Sequence, residues 1–258
     1  YATGSVTGTG SYVGGLVGFQ NASTVSQSYA TGSVTGADGM AGGLLGGQSG
    51  TSTVSQSYAT GSVTGDCYVG GLVGYQSDST VSQSYATGSV TGNSDVGGLI
   101  GFNSNSTIQS SYWDIDTTGQ STGVGTGSST GATGIHTADA FNAATYAGFD
   151  FTNDWYMVEG ETRPFLRSEY STTIVNDHQL QLMALAPSAN YTLAADIDMS
   201  DLSNPSSMWR TSANPDTNGG YGFVPVGDDT TRFTGTFDGA GHTITGLVIN
   251  RPAANNVG

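Results

Sequence analysis

The chain reads as an all-β protein: a parallel β-helix, or β-solenoid, with about 27–29 residues per coil, plus a small mixed closing segment. Three observations predict it. The word SYATGSVTG stands three times, at Ser28–Gly36, Ser57–Gly65 and Ser84–Gly92, and a copy lacking its first Ser opens the chain at Tyr1–Gly8. Each copy is followed by a Gly-Gly-Leu box, at Val13–Gly18, Ala41–Gly46, Val69–Gly74 and Val96–Gly101. The lead tyrosines Tyr1, Tyr29, Tyr58, Tyr85 and Tyr112 recur at intervals of 28, 29, 27 and 27 residues. A fixed period in this range marks stacked supersecondary units.

The residues within a repeat decide which kind. In Thr24–Gly36, the residues Val25, Ala30, Gly32 and Val34 share one face once a bend is placed near Gln27, and Tyr29, Thr31, Ser33 and Thr35 face the other way. β-Branched Val and Thr favour a pleated strand. The boxes place Leu16, Leu44, Leu72 and Leu99 at equivalent points, beside paired glycines suited to a tight bend or a close backbone approach. Stacked helices are a poor alternative, because each Gly in a helix costs roughly 1 kcal/mol. A propeller blade needs about 40 residues or more. Two or three short strands per coil are expected, with coils about 4.8 Å apart and identical residues in ladders. The variable tips Thr9–Tyr12, Ala37–Met40, Asp66–Tyr68 and Asn93–Asp95 account for the drift in period.

Three segments follow from this pattern: residues 1–109 as four solenoid coils, 110–167 as a closing segment, and 168–258 as the opening of a next solenoid module. The closing segment starts like a fifth copy and diverges at Trp113. Thr137 is placed to N-cap a short helix over Ala138–Ala144, and Trp155, Phe165 and Leu166 read as an apolar cap. Beyond it, Asp177–Leu180 reads as a helix start, Tyr191–Met199 as a strand, and Phe233–Asn250 as two strands around an Asp238-Gly239 turn.

Composition restricts the partners. The chain has 258 residues, a net charge of −15 and no Lys; its five basic residues are Arg163, Arg167, Arg210, Arg232 and Arg251. Nucleic acid is excluded, because no basic footprint exists to neutralise phosphates. Docking on anionic lipid is disfavoured for the same reason, and no apolar run is long enough for membrane insertion. Cys67 is the single cysteine, in a variable tip, so no internal disulfide forms. The chain opens inside a repeat and closes on Val257-Gly258, the first half of another box, which reads as one window of a longer tandem protein.

The VGGLVG and YATGSVTG words resemble the GLUG-repeat family of large secreted and surface proteins, which includes filamentous-haemagglutinin-like adhesins. SYWDIDTTGQSTG and Gly148–Arg167 resemble the segment after such arrays; YTLAADIDMSD and FTGTFDGAGHTITGLVIN resemble the segment before one. The resemblance implies a β-helical architecture and an extracellular, cell-surface location. It carries no catalytic residues.

Five kinds of site are weighed. Asp196, Asp198 and Asp201 in DIDMSD offer hard oxygens to calcium, without the Gly and distal Glu of an EF-hand. Tyr29, Tyr58 and Tyr85 form a ladder with two readings: an exposed aromatic stripe for sugar rings or another solenoid, or rings packed under a loop. Asn21, Asn105 and Asn190 lie in Asn-x-Ser/Thr sequons. Asp38, Asp66 and Asp95 form a row of single acids on tips, whereas glycoside cleavage needs two carboxyls across one cleft. His136, His178 and His242 share no metal-ligand spacing. The expected function is therefore a non-enzymatic structural or adhesive module of a long extracellular filament or surface adhesin, with no cofactor unless calcium. Its expected partners are copies of itself or neighbouring modules end to end, and surface glycans. The alternative is a carbohydrate-binding or polysaccharide-cleaving β-helix.

Overall fold

The computed structural model describes residues 1–255 and 257. The chain divides into two compact units, Tyr1–Ala140 with Ala144–Phe149, and Phe141–Ala143 with Asp150–Gly258. The first runs well past residue 109 and takes most of the expected closing segment, and the second joins the rest of it to the expected opening segment.

The first unit is a parallel β-solenoid. Each full coil carries five short strands rather than two or three; in one coil these are Tyr29–Ala30, Val34–Gly36, Met40–Gly42, Leu45–Ser49 and Thr53–Ser55. Equivalent strands pair in parallel with the coils on either side, giving five sheets. The register follows the repeat: Tyr58 lies beside Tyr29 and Tyr85, Val63 beside Val34 and Val90, and Val81 beside Val54 and Ile108. Strands this short need sharp corners, and the chain makes them with left-handed residues. Gln27, Gln56, Gln83 and Ser110 have φ of 44°, 46°, 46° and 45°. Non-glycine residues resist this conformation. Here the corner amides are held by the next coil: Gln27 N–H bonds Ser55 O at 3.2 Å, Gln56 bonds Ser82 O at 3.1 Å and Gln83 bonds Gln109 O at 3.0 Å. The bend expected near Gln27 is this corner.

Two apolar columns fill the interior. One gathers Ala30, Leu44, Leu45, Val54, Leu72, Val73, Val81, Leu99 and Ile100; the other Val13, Val34, Ala41, Val63, Val69 and Val90. The Leu ladder expected from the boxes lies in the first. The paired glycines mark a close approach of coils, since a Cβ on Gly71 would sit 2.2 Å from the carbonyl oxygen of Gly98.

The solenoid continues beyond the fourth box. Trp113 takes the register position of Ala86 and closes the first column with an indole, whose N–H donates to Gln120 O at 2.8 Å. Asp114 then caps a one-turn helix, Ile115–Thr118, accepting from the amides of Asp116 and Thr117. Val124–Gly127 and Ala132–Ile135 return to add strands to two of the sheets. Gln120 Nε2 donates to Val90 O at 2.8 Å, satisfying a carbonyl on a third. Open strand edges are a pairing hazard, and these groups engage three of the five sheets at this end. The helix expected over Ala138–Ala144 is absent. The Thr137 hydroxyl is bonded to the Asp114 carboxylate at 2.8 Å and caps nothing, leaving 3-10 turns at Thr137–Asp139 and Ala143–Thr145.

The second unit is irregular. Trp155–Tyr156 pairs antiparallel with Phe165–Leu166, and these residues, expected as a cap, form its core with Trp209 and Tyr191. The helix Asp177–Gln181 begins where expected, its Asn176 cap accepting from Gln179 N–H at 2.9 Å. The expected strands near Asp238-Gly239 are present as Thr236–Asp238 and Ile244–Thr245. They pair in parallel with Asn190–Leu193 and Ile197–Asp198 rather than with each other.

Candidate functional site

The tyrosine ladder is regular and hidden. Successive ring centroids from Tyr1 through Tyr29 and Tyr58 to Tyr85 are 4.9, 5.0 and 5.0 Å apart, with planes within 5°. Tyr29, Tyr58 and Tyr85 are 3%, 0% and 1% exposed, so no aromatic face is offered there to a sugar. Of the two readings of this ladder, the packed one describes it, and the exposed stripe is corrected. Tyr146 and Phe149 lie against Tyr85 and Tyr112, and the Tyr112 hydroxyl donates to Ala147 O at 2.7 Å. Burial pushes the Tyr112 phenol up from its ordinary range.

Asp196, Asp198 and Asp201 do not converge. Among the described residues, no three His, Cys, Asp or Glu side chains form a metal-holding group. Asp198 and Asp201 each close a local turn, whereas Asp196 bonds across to Thr243, 47 residues away. Asp196 accepts from Thr243 N–H at 2.8 Å and lies 3.4 Å from His242 Nδ1; Asp198 accepts from Ser200 N–H at 2.9 Å; Asp201 accepts from Asn204 at 2.9 Å. The backbone amides of Thr243 and Ser200 hold the Asp196 and Asp198 carboxyls below the usual range. The calcium expectation therefore lacks its geometry.

Asn21, Asn105 and Asn190 are all exposed. The amide of Asn21 donates to Ser49 Oγ at 2.7 Å, that of Asn105 to Asp78, and Asn190 Oδ1 accepts from Thr236 N–H at 3.2 Å. Two of the tip acids tie coil to coil: Asp66 accepts from Asn93 at 2.7 Å, and Asp95 from Thr126.

Three features escaped the sequence reading. The first is a buried amide column. Gln20 Nε2 donates to Gln48 Oε1 at 2.8 Å, Gln48 to Gln76 at 2.9 Å, Gln76 to Asn103 at 2.8 Å, and Asn103 to Ser128 O at 2.6 Å. Gln48 and Gln76 are fully buried, and their pairing meets the demand that buried polar groups be hydrogen-bonded. A periodic Gln or Asn two residues after each box was the available signal. The second is a serine column. Ser57, Ser84 and Ser111 each accept an amide from the preceding coil at 3.1–3.3 Å, and each donates to the carbonyl two residues back.

The third feature is a different aromatic stripe on the outer wall. Phe19, Tyr75 and Phe102 occupy one register position of one sheet, which Gly47 interrupts. Tyr12 and Tyr68 come from the neighbouring sheet. The ring pairs Tyr12–Phe19, Tyr12–Tyr75, Tyr68–Tyr75, Tyr68–Phe102 and Tyr75–Phe102 have centroids 4.5, 6.3, 6.2, 4.8 and 5.4 Å apart. Tyr12 fills the place a side chain at Gly47 would take, where a Cβ would meet its ring at 2.5 Å. Phe19 is 42% exposed, and the other four are half-buried.

A regular parallel β-solenoid with polar and aromatic ladders defines a tandem-repeat module whose stability comes from neighbour-on-neighbour contacts. Two stretches of the repeat, residues 9–35 and 65–91, match the family model described as the GLUG motif. Over 69 residues the chain is 44% identical to halomucin of Haloquadratum walsbyi (strain DSM 16790 / HBSQ001), a match covering 26% of this chain and 1% of halomucin. No solved structure matches the chain. Repeat, fold and relative together fit a structural module. Among the described residues, no helix is long and apolar enough to cross a membrane.

Proposed function

We propose that the chain is a structural module of a long extracellular or cell-surface protein, working by coil stacking and by continuation into neighbouring modules or copies end to end. The observation that carries this reading is the unbroken parallel register through successive coils, tyrosine beside tyrosine from Tyr29 to Tyr112. A stack of this kind holds distance and resists fraying without a bound group. The likeness to a stretch of halomucin and the GLUG motif support the surface location. The acidic balance supports solubility by self-repulsion. The module acts without catalysis in this reading, and the exposed Asn21, Asn105 and Asn190 are its glycan acceptors. The box half expected at Val257-Gly258 as the joining edge has its Gly258 outside the described residues.

Labelling of intact source cells with an antibody raised against this chain tests the location. Surface labelling that protease shaving removes is expected; a pool reached only after lysis overturns it. Fibre diffraction of the native material tests the mechanism, with a reflection near 4.8 Å along the fibre axis expected.

A further inference from the structure

We propose that the outer-wall stripe of Tyr12, Phe19, Tyr68, Tyr75 and Phe102 is a binding site for a neutral polysaccharide chain. The stripe is built rather than incidental. Tyr68 sits at φ 51°, a left-handed conformation that a bulky residue adopts only under constraint, at a kink between the paired residues Cys67 and Val69. Asp95 sits at φ 52° at the same point of the next coil. The kink re-aims the side chain there and sets the Tyr68 ring at 51° and 52° to Tyr75 and Phe102, whose own planes lie within 2° of each other. Tyr12 is tilted by 45° and 63° to Phe19 and Tyr75. The tilted rings break the parallel stacking seen in the buried ladder.

Charge selects the occupant. The solenoid unit holds Asp38, Asp66, Asp78, Asp95, Asp114, Asp116 and Asp139, and no Lys or Arg. An anionic polymer is repelled, and so is an equally acidic copy laid side by side along this wall. A neutral glycan offers C–H faces to the rings and hydroxyls to the rim, where Asp95 and the exposed Thr126 stand bonded to each other beside the stripe. From Phe19 to Phe102 the stripe crosses three coil steps, roughly 14 Å at about 4.8 Å each, which suits a short run of sugar rings.

The test is calorimetric titration of the full chain with cellohexaose, soluble mannan and polygalacturonate, alongside sedimentation of the chain alone. One neutral glycan is expected to bind, and Tyr68→Ala with Phe102→Ala to weaken it about tenfold or more. Tyr68→Phe, which keeps the ring, is expected to bind nearly as wild type, and it serves as the folded comparison should the double variant lose its circular dichroism. Three results overturn the proposal: no neutral glycan bound at millimolar concentration, polygalacturonate bound as tightly, or a dimer that Tyr68→Phe retains and the double variant loses, which makes the stripe a contact between copies. None of these bears on surface labelling, so this site and the structural role fail separately.

Discussion

The two units use the same chain chemistry in opposite ways. In the solenoid, one set of contacts is repeated at every coil, so an apolar column, an amide column and a serine column each pass through several equivalent positions. In the second unit each contact occurs once. Trp209 packs edge-on to Phe165 and His178 at 5.6 and 5.8 Å and donates to Gln181, while Arg163 lies fully buried with its guanidinium on Ser207 O and Pro205 O. Repetition spreads stability over neighbours, whereas a single hub concentrates it. A change in the hub should therefore remove a folded unit, and a change in one coil should weaken a column.

The largest effect tests the hub. Trp209→Ala is expected to cost about 3–5 kcal/mol and to unfold the second unit, with solenoid circular dichroism retained in a urea titration of the full chain. One concerted loss of both signals would erase the contrast. Next comes the amide column. Gln48→Leu orphans the Gln20 donor and the Gln76 acceptor, for an expected loss of about 2–3 kcal/mol. Replacing Gln20, Gln48, Gln76 and Asn103 all by Leu leaves no broken pair among them and is expected to cost less than that single change; an equal or larger loss would show that the column contributes more than satisfied pairs.

A pH titration sharpens the comparison further. In the second unit His178 is 2.7 Å from Glu169, and both are buried. Burial alone would push the imidazole down; the Glu169 and Asp177 carboxylates outweigh it and hold it up at about 8, against 6.5 ordinarily. A pKa raised on folding gives stability that is full below pH 6.5 and lost as pH rises through 8. The loss is expected to be on the order of 2 kcal/mol, confined to the second unit, and absent in His178→Gln. The smallest effect lies at a corner. Gln27→Gly relieves a φ of 44° at an exposed position and is expected to gain about 0.5 kcal/mol, the left-handed strain removed less the entropy glycine adds to the unfolded chain.

Periodicity made the solenoid legible, because identical words must become identical rungs. It also placed the Leu ladder inside and the corner near Gln27. It undercounted the strands, since runs such as Met40–Gly42 carry too few residues to show an alternation. The tyrosines were visible as a ladder but not as buried: Tyr146 and Phe149, which lie against Tyr85 and Tyr112, come from outside the repeats. Among the expected site residues, Asp198 and Asp201 proved to serve local turns and Asp196 a backbone amide 47 residues on, which spacing cannot separate from a cluster. The outer stripe stayed hidden because Gly47 and Met40 interrupt it in sequence, and only the folded register brings Tyr12 across the gap.

The amide column has a direction. Every link gives its hydrogen toward the higher-numbered coil, and the last, from Asn103, ends on the Ser128 carbonyl, which has none to pass on. That oxygen works as a full stop. A coil duplicated upstream extends the line without disturbing it, provided it brings one carboxamide, so the molecule can be lengthened in whole notches like a ruler whose zero is already marked.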